Sequence, residues 1–301
     1  MITVCVPSEQ DVEALEVPAE LLVWDGTGPP PDGIEQVEFL LAPYMGATFA
    51  TESLTAMPAL KVVQLLSAGV EPWLAKVPPG VTLCNGRGVH GSSTAELAVA
   101  GLLSLVRGLP RYARQQAEGQ WQERRGGDLD GARVLLLGAG DINQRVAGAL
   151  RALGADCVFV ARTARDGVHG VDELPGLLPS ARAVVLALPH TPETHQLVDA
   201  GFLAALPDGA VLVNVARGTI VDTAALLAEL RAGRLSAFLD VTDPEPLPAD
   251  HPLWGLPNVV ITPHVGGGTT GWRERGMRLV AEQIRRYVSG QPLVNVITGD
   301  Y

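Results

Sequence analysis

Residue types suited to proton transfer or to anion binding recur at three points in the second half of the chain. Arg217, Asp240 and His264 each come shortly after an apolar run that is typical of a β-strand. These runs lie at 211–213, 237–239 and 259–261. In an open parallel sheet, ligands bind beyond the carboxyl ends of the strands. The pattern therefore predicts one crevice that performs proton-coupled chemistry on an anionic substrate.

The composition is that of an ordinary globular protein, long enough for two domains. Of the 301 residues, 47% are hydrophobic and 18% are charged. The formal net charge of -11 argues against a nucleic-acid partner or an anionic membrane surface. The longest apolar run, 97–106, is too short to cross a bilayer.

The N-terminus and the cysteines indicate a cytoplasmic protein. The first residues, Ile2 to Val6, have a strand pattern in place of a signal peptide. Cys5, Cys84 and Cys157 lie far apart in apolar segments, which is typical of buried, reduced thiols. No cysteine or histidine spacing predicts a disulfide framework or a metal site.

The order of apolar runs predicts two α/β domains with parallel sheets. In the first domain we expect strands at 2–6, 21–24, 39–41, 62–66 and 81–84. Ser93-Thr-Ala-Glu96 fits a capping box, which predicts a helix start and the crossing into the second domain.

The second domain has the pattern of a doubly wound sheet. Six strands are expected at 133–137, 157–161, 183–187, 210–215, 236–240 and 259–262, with helices between most of them, the clearest at 142–152 and 223–232. A last helix is expected over roughly 270–289, and 292–297 could return to the first domain.

A glycine-rich turn follows the first strand of this second domain. In Gly138-Ala-Gly140-Asp-Ile-Asn143, the first glycine permits a tight turn and the second lets the backbone approach a pyrophosphate. Asn143 stands where the usual fingerprint has a third glycine for close helix–strand packing. We expect Asn143 to push the helix outward or to weaken cofactor binding, and we favour a tolerated variation over loss of binding.

The next strand end indicates which nicotinamide cofactor is used. A cofactor without a 2′-phosphate usually meets an Asp or Glu there, whereas an arginine accommodates the phosphate. Here the strand is followed by Arg162, Thr163 and Arg165, and none of its last residues is acidic. Charge-assisted hydrogen bonds from these side chains would hold a phosphate. We predict NADP(H) in preference to NAD(H), which stays possible.

With these motifs the chain resembles the D-isomer-specific 2-hydroxyacid dehydrogenase family, which includes glyoxylate/hydroxypyruvate reductases and phosphoglycerate dehydrogenases. The most specific motifs are Asn214-Val-Ala-Arg217-Gly-Thr-Ile-Val-Asp222, Leu239-Asp240-Val, Glu245-Pro-Leu-Pro248, His251-Pro-Leu-Trp254 and Asn258-Val-Val-Ile-Thr-Pro-His264. The resemblance covers nearly the whole chain. It implies two Rossmann/flavodoxin-like domains, with a dinucleotide-binding domain (95–287) inserted into a discontinuous substrate-binding domain (1–94 and 288–301).

The resemblance also implies catalytic roles. Arg217 would bind the substrate carboxylate and polarise the keto oxygen, and His264 would donate a proton to that oxygen. Glu245 would hydrogen-bond His264, orient it and favour its protonated form. Chemistry supports these roles independently, because hydride transfer to a ketone develops alkoxide character that a cation and a proton donor must meet.

Further binding residues follow from the same resemblance. Beside the glycine turn and the strand end described above, it assigns cofactor contacts to Asp141, Ile142, Leu188, Pro189, Thr194, Val215, Ala216, Asp240 and Gly266. On the substrate side it assigns Ser67, Ala68, Gly69, Arg87 and His90. Arg87 and His90 stand where the family more usually has Pro and Asn, so the substrate preference of common members does not transfer.

We therefore predict an oxidoreductase that transfers a hydride between NADP(H) and a small 2-ketoacid, such as glyoxylate or hydroxypyruvate, giving a D-2-hydroxyacid. The expected partners are this small acid and a second copy of the chain in a homodimer. Two alternatives stay open. One is a phosphoglycerate dehydrogenase-like enzyme that uses NAD, and the other is a non-catalytic, nucleotide-sensing, corepressor-like protein.

Overall fold

The computed structural model describes residues 1–44, 49 and 51–298. The strands are β1 (Ile2–Val6), β2 (Ala19–Val23), β3 (Val37–Leu41), β4 (Val62–Gln64), β5 (Thr82–Cys84), β6 (Arg133–Leu137), β7 (Asp156–Ala161), β8 (Val168–Gly170), β9 (Ala183–Leu186), β10 (Val211–Asn214), β11 (Ser236–Leu239) and β12 (Val259–Ile261). The α-helices are α1 (Glu9–Ala14), α2 (Thr51–Thr55), α3 (Glu71–Leu74), α4 (Gly91–Arg107), α5 (Leu109–Ala117), α6 (Asp141–Ala152), α7 (Leu174–Leu177), α8 (Ala200–Ala205), α9 (Thr223–Arg231) and α10 (Trp272–Val288). Short 3-10 turns cover Ile34–Gln36, Val171–Glu173, Leu178–Ser180, Gly218–Ile220 and Pro252–Gly255.

The chain divides into two compact units, as the sequence predicts. The first consists of residues 1–90 with the segment from Gly268 onward, and the second consists of residues 91–267. Each unit contains one parallel sheet, so the predicted α/β class with two parallel sheets is confirmed.

The first unit is built on a five-stranded sheet with the order β2-β1-β3-β4-β5. Successive residues of its central strands point to opposite faces, because side chains alternate along a strand. Val4 and Phe39 thus belong to one buried cluster, whereas Cys5 and Leu40 belong to the other. All four are fully buried, as expected for a sheet covered on both faces.

Helix α10 belongs to this first unit, which differs from the predicted domain division. The prediction placed the helix in the dinucleotide domain, up to residue 287. In the structure its buried residues Met277, Val280 and Ile284 form one cluster with Val4 and Phe39 of the first sheet. Their spacing of three and four residues gives the helix one apolar face, but the pattern does not say which sheet that face meets.

Two polar contacts tie α10 to the same sheet. The Tyr287 hydroxyl donates to Glu38 over 2.9 Å, and the buried Gln283 amide donates to Gln64 over 2.8 Å. Burial and the hydrogen bond to Glu38 raise the pKa of Tyr287 to about 12. The segment after the helix returns to the edge strand, where Val296 pairs with Cys84, as the sequence predicts.

The second unit carries a seven-stranded parallel sheet with the order β12-β11-β10-β9-β6-β7-β8. All six predicted strands are present within one residue of their expected limits. The seventh, β8, is an edge strand of three residues, too short to give a sequence signal. The order reverses beside β6, and this is the point at which doubly wound sheets bind nucleotides.

Helix α4 starts earlier than the capping box predicts. It begins at Gly91, so Ser93 and Thr94 lie buried within its first turn. Gly91 lies close to the start of α6, since a Cβ atom there would lie 1.7 Å from Asp141 Oδ2. Within the described residues, no helix is long and apolar enough to cross a membrane.

Candidate active site

Three neighbouring strands of the second sheet end close to two predicted catalytic residues and one predicted cofactor contact. Strands β10, β11 and β12 lie side by side in parallel register, so their carboxyl ends share one edge of the sheet. Arg217, Asp240 and His264 follow these ends within three residues. The three residues therefore lie along one edge of the sheet of this unit.

His264 and Glu245 form a direct pair. The imidazole Nδ1 lies 2.6 Å from Glu245 Oε1, and both side chains are roughly half exposed. Because Nδ1 faces the carboxylate, Nε2 is the ring nitrogen left to meet a reacting oxygen. The pair has the geometry of a proton donor held by an orienting acid.

The turn that carries His264 is strained and is held by Asp240. His264 has φ = 53°, a left-handed conformation that is uncommon outside glycine. The Asp240 carboxylate, only 3% exposed, accepts from Thr262 Oγ1 (2.6 Å), Val265 N (2.9 Å) and Gly266 N (2.9 Å). The Asp240 backbone oxygen also accepts from His264 N over 2.7 Å. Asp240 thus fixes the turn on both sides of the histidine.

The loop of Arg217 is fixed by buried Asn214. The Asn214 amide donates to Arg217 O over 3.0 Å, and its oxygen accepts from Ala216 N over 3.0 Å. Gly218 then lies against the next loop, since a Cβ atom there would lie 1.9 Å from Thr242 O. The arginine loop consequently packs on the segment that leads to Glu245.

The glycine turn has the shape that a pyrophosphate needs. Gly138 has φ = 98°, and a Cβ atom there would lie 2.2 Å from Ala187 O, so only glycine fits. At Gly140 a Cβ atom would meet nothing within 4 Å, which leaves open space over the start of α6. The residues present therefore fit a dinucleotide whose phosphates lie on this helix N-terminus. Asp141 and Ile142, two other predicted contacts, form its first turn and are half-buried.

Asn143 is accommodated inside the turn. Its side chain is fully buried, and Nδ2 donates to Leu137 O over 2.9 Å and to Gly138 O over 2.8 Å. Val146 and Leu150, farther along α6, are also fully buried against the sheet. The helix thus stays packed on the sheet around the asparagine.

The predicted phosphate-binding residues after β7 are exposed to solvent. Arg162, Thr163 and Arg165 are all exposed. Arg162 Nη2 lies 3.8 Å from Glu193 Oε2, a carboxylate of the loop after β9. The hydroxyl of Thr191 donates to Glu193 over 2.7 Å and lowers the pKa of that carboxyl, which is therefore ionised at neutral pH.

The loop after β9 and the start of the arginine loop hold other predicted cofactor contacts. Thr194 Oγ1 donates to Pro189 O over 2.9 Å and accepts from Thr191 N over 2.7 Å, which closes the loop into a turn. Leu188 in this loop is half-buried, whereas Val215 and Ala216 lie at the carboxyl end of β10 and are buried. The first of these segments follows β9, which is adjacent to β6, and the second follows β10, which is the next strand of the sheet.

In the first unit, the predicted substrate loop is tied to the segment before Arg87. Gly86 N donates to Ser67 O over 2.6 Å, and Asn85 Nδ2 donates to Ala68 O over 3.0 Å. A Cβ atom at Gly86 would lie 2.1 Å from Leu66 O, so this close approach requires glycine. The two predicted substrate segments, 67–69 and 85–87, therefore lie together.

His90 belongs to an aromatic stack that the sequence did not reveal. Its ring lies 5.4 Å from the Tyr44 ring, which stacks on Trp272 at 4.3 Å between centroids. Nearby, Arg87, Arg275 and Arg278 line a cavity of about 300 Å³ in the same unit. These contacts join residues far apart in sequence, so only the fold identifies them.

Glu193, next to the predicted Arg162, is another residue of the candidate site that sequence reasoning missed. It is the acidic residue of the Leu186–Thr194 segment, but its approach to Arg162 crosses from one loop to another. Among the described residues, no group of three or more His, Cys, Asp or Glu side chains is placed to hold a metal ion.

Comparison with known proteins assigns the family. A family model described as "D-isomer specific 2-hydroxyacid dehydrogenase, NAD binding domain" matches residues 99–266, more than half of the chain. The chain belongs to this family. The resemblance predicted from the sequence is thus confirmed, and the matched range contains the glycine turn, Arg217, Glu245 and His264.

Similar solved structures support the fold of this family member. A D-isomer specific 2-hydroxyacid dehydrogenase from Xanthobacter autotrophicus Py2, in complex with NADPH and MES, is 33% identical with a TM-score of 0.84; the match covers 99% of this chain and 98% of that one. An NADPH-dependent glyoxylate/hydroxypyruvate reductase from Sinorhizobium meliloti, in complex with NADP and sulfate, is 25% identical with a TM-score of 0.83 and the same coverage.

Curated relatives include longer proteins of another specificity. A D-3-phosphoglycerate dehydrogenase from Archaeoglobus fulgidus is 34% identical over 257 residues, which are 82% of this chain and 49% of the relative. D-3-phosphoglycerate dehydrogenases from Methanocaldococcus jannaschii and Mycobacterium bovis are 31% and 35% identical, over 47% and 48% of their lengths. The chain therefore spans about half the length of these phosphoglycerate dehydrogenases.

Proposed function

We propose that this family member transfers a hydride between NADP(H) and a small 2-ketoacid, with a D-2-hydroxyacid as the reduced product. The observation that carries the proposal is the 2.6 Å pair of His264 and Glu245 at the end of β12. It lies on the sheet edge that also carries Arg217 and the glycine turn. Glyoxylate and hydroxypyruvate are the substrates to test first.

The proposed roles follow from charge and geometry. A bound nicotinamide would supply the hydride that reduces the keto carbon. As that carbon–oxygen double bond opens, the oxygen gains negative charge, and His264 transfers a proton to it from Nε2. Glu245 accepts from Nδ1, so it compensates the imidazolium charge before the transfer. Arg217 holds the substrate carboxylate, for which a guanidinium gives two parallel hydrogen bonds.

Arg162, Thr163 and Arg165 support the choice of NADP(H). All three are exposed at the end of the second strand of the nucleotide fold, where a 2′-phosphate would lie. The Xanthobacter and Sinorhizobium relatives were crystallised with NADPH and NADP. The test is the ratio of kcat/KM for NADPH and NADH, and a tenfold preference for NADH would overturn the proposal.

The activity itself is tested by NADPH oxidation, followed by absorbance across a panel of 2-ketoacids. We expect glyoxylate or hydroxypyruvate to be reduced and the His264→Ala variant to lose most of this rate while it still binds cofactor. An unchanged rate would remove His264 from the mechanism. Silence on every acid, with cofactor still bound, would favour the nucleotide-sensing alternative.

Two observations favour a phosphoglycerate dehydrogenase-like enzyme as the second candidate. The curated relatives carry that name, and Arg87, Arg275 and Arg278 line a cavity in the first unit. Three guanidinium groups would suit the phosphate of a larger substrate. Oxidation of 3-phosphoglycerate with NAD, faster than reduction of any small ketoacid, would establish this alternative.

We also propose a cytoplasmic homodimer formed through the second unit. Trp121, 92% exposed, and Leu109, 54% exposed, lie on α5 and the segment after it. We assign these two exposed apolar side chains to the proposed interface, which would cover them. Light scattering of the purified protein gives the mass that tests this.

A further inference from the structure

The buried amide of Asn143 links three parts of the nucleotide turn. Its Nδ2 donates to Leu137 O at the end of β6 and to Gly138 O within the turn. Leu137 O also accepts from Ala187 N over 3.0 Å, so the same oxygen joins β6 to the loop after β9. Asn143 itself lies in the first turn of α6. One side chain therefore connects the strand end, the glycine turn and the helix start.

This link acts where the backbone must be placed most accurately. A pyrophosphate is held by backbone N–H groups of the glycine turn and of the helix start, so its binding depends on their relative position. In the usual fingerprint, a third glycine fixes that position by letting the helix pack closely on the strand. Here two hydrogen bonds of 2.8 and 2.9 Å connect the same two segments.

We propose that Asn143 is a positioning residue that holds the glycine turn in its cofactor-binding conformation, in place of the third glycine. The inference rests on the proposed cofactor site and adds a role that the fingerprint does not contain. It implies equal effects on NADPH and NADH, because both cofactors carry the same pyrophosphate. It also separates Asn143 from the strand end at Arg162, where the two cofactors differ.

The side-chain oxygen of Asn143 argues against a purely stabilising role. Asn143 Oδ1 is buried and has no hydrogen-bond partner among the described residues. A buried acceptor without a donor costs free energy of the same order as the gain from a donated hydrogen bond. Leu137 O keeps its bond from Ala187 N if the amide is removed. Removal should consequently change global stability little and loosen the turn locally.

The experiment compares Asn143→Ala with a matched control, Asn258→Ala. Asn258 makes the same kind of link, since its Nδ2 donates to Leu230 O over 2.9 Å and to Leu235 O over 2.7 Å. It directly precedes β12 and so lies at the amino end of a strand, whereas the glycine turn lies at the carboxyl end of β6. Cofactor Kd is measured by fluorescence titration, Tm by calorimetry, and amide hydrogen exchange by mass spectrometry without cofactor.

We expect Asn143→Ala to raise Kd for both cofactors by the same factor, about five- to thirtyfold, which corresponds to freeing the backbone of roughly one residue. The kinetic loss should fall more on the KM for cofactor than on kcat. Exchange should accelerate within 138–142. Asn258→Ala should leave Kd within twofold of the wild-type value. Asn143→Asp, whose carboxylate oxygens would face the Leu137 and Gly138 carbonyl oxygens, should weaken binding further.

Three outcomes would overturn the inference. One is an unchanged Kd in Asn143→Ala, and another is an equal rise in Asn258→Ala, which would indicate a general loss of structure. The third is unequal factors for NADPH and NADH, which would place the effect at the ribose. Failure of the wild-type protein to bind either cofactor would instead refute the proposed function, so the two failures are distinguishable.

Discussion

Asp240→Asn is the substitution that tests most directly how the fold positions the proton donor. The Asp240 carboxylate accepts from Val265 N and Gly266 N, the two backbone groups after His264, and from Thr262 Oγ1. Asparagine keeps one oxygen and replaces the other by an NH₂ group. Whichever way the amide turns, one of the two backbone N–H groups then faces a donor.

The expected loss can be estimated from these contacts. A hydrogen bond to a charged group contributes about 1.5–3 kcal/mol. The left-handed conformation of His264 costs about 1–3 kcal/mol and persists only where its surroundings enforce it. The backbone bond from His264 N to Asp240 O remains in the variant. We therefore expect a loss of about 2–3 kcal/mol in transition-state stabilisation, or roughly 30- to 160-fold in kcat/KM.

The assay is steady-state ketoacid reduction at saturating NADPH, with cofactor Kd and Tm measured on the same preparations. The control is Asp199→Ala, which removes the N-cap of α8 by deleting the 2.8 Å bond from Phe202 N. That change should lower stability by about 1 kcal/mol and leave kcat/KM unchanged. If Asp240→Asn keeps kcat/KM within threefold of wild type, the carboxylate does not hold the His264 turn.

Three further predictions concern the cofactor, the interface and the thiols. Glu193→Gln removes a carboxylate 3.8 Å from Arg162, so the NADPH/NADH ratio of kcat/KM should rise about two- to fivefold at low salt; an unchanged or lower ratio would contradict this. If the proposed dimer forms, Trp121→Glu should convert it to a monomer in light scattering, and a dimer of unchanged mass would exclude Trp121 from the interface. Burial raises the pKa of Cys5 to about 12 and that of Cys84 to about 11, so iodoacetamide at pH 8 should label neither thiol before unfolding; labelling of the native protein would show that these thiols are accessible.

Local patterns were sufficient to predict the strand ends that carry the candidate site. Apolar runs of three to six residues, each followed by a charged or imidazole side chain, gave the positions of Arg217, Asp240 and His264. Parallel strands in sequence order must place such positions along one edge. The pairing of Glu245 with His264, which lie 2.6 Å apart in the structure, was implied only by the resemblance. The loop that carries Glu245 has no periodic pattern from which the pairing could be predicted.

Contacts between distant segments were outside the reach of sequence reasoning. The amphipathic pattern of α10 gave its buried face but not the sheet that this face meets, so the domain limit was misplaced. Helix α4 starts two residues before Ser93, and Gly91 at its start lies against Asp141 of α6, a contact that local patterns do not show. The stack of His90 on Tyr44 likewise depends on tertiary packing alone.

The two functional parts of the second unit differ in how firmly they are held. The Asp240 carboxylate is buried and makes three hydrogen bonds, so any change there costs several kcal/mol. The Arg162–Glu193 pair is 67% and 69% exposed, and pairs of this kind contribute about 0–1 kcal/mol. A single substitution in this exposed pair should therefore cost the fold little, whereas the position of the proposed proton donor depends on the packing of the sheet edge. We infer that cofactor use in this chain is the easier property to re-engineer, and that Glu193 and Arg162 are the positions at which to begin.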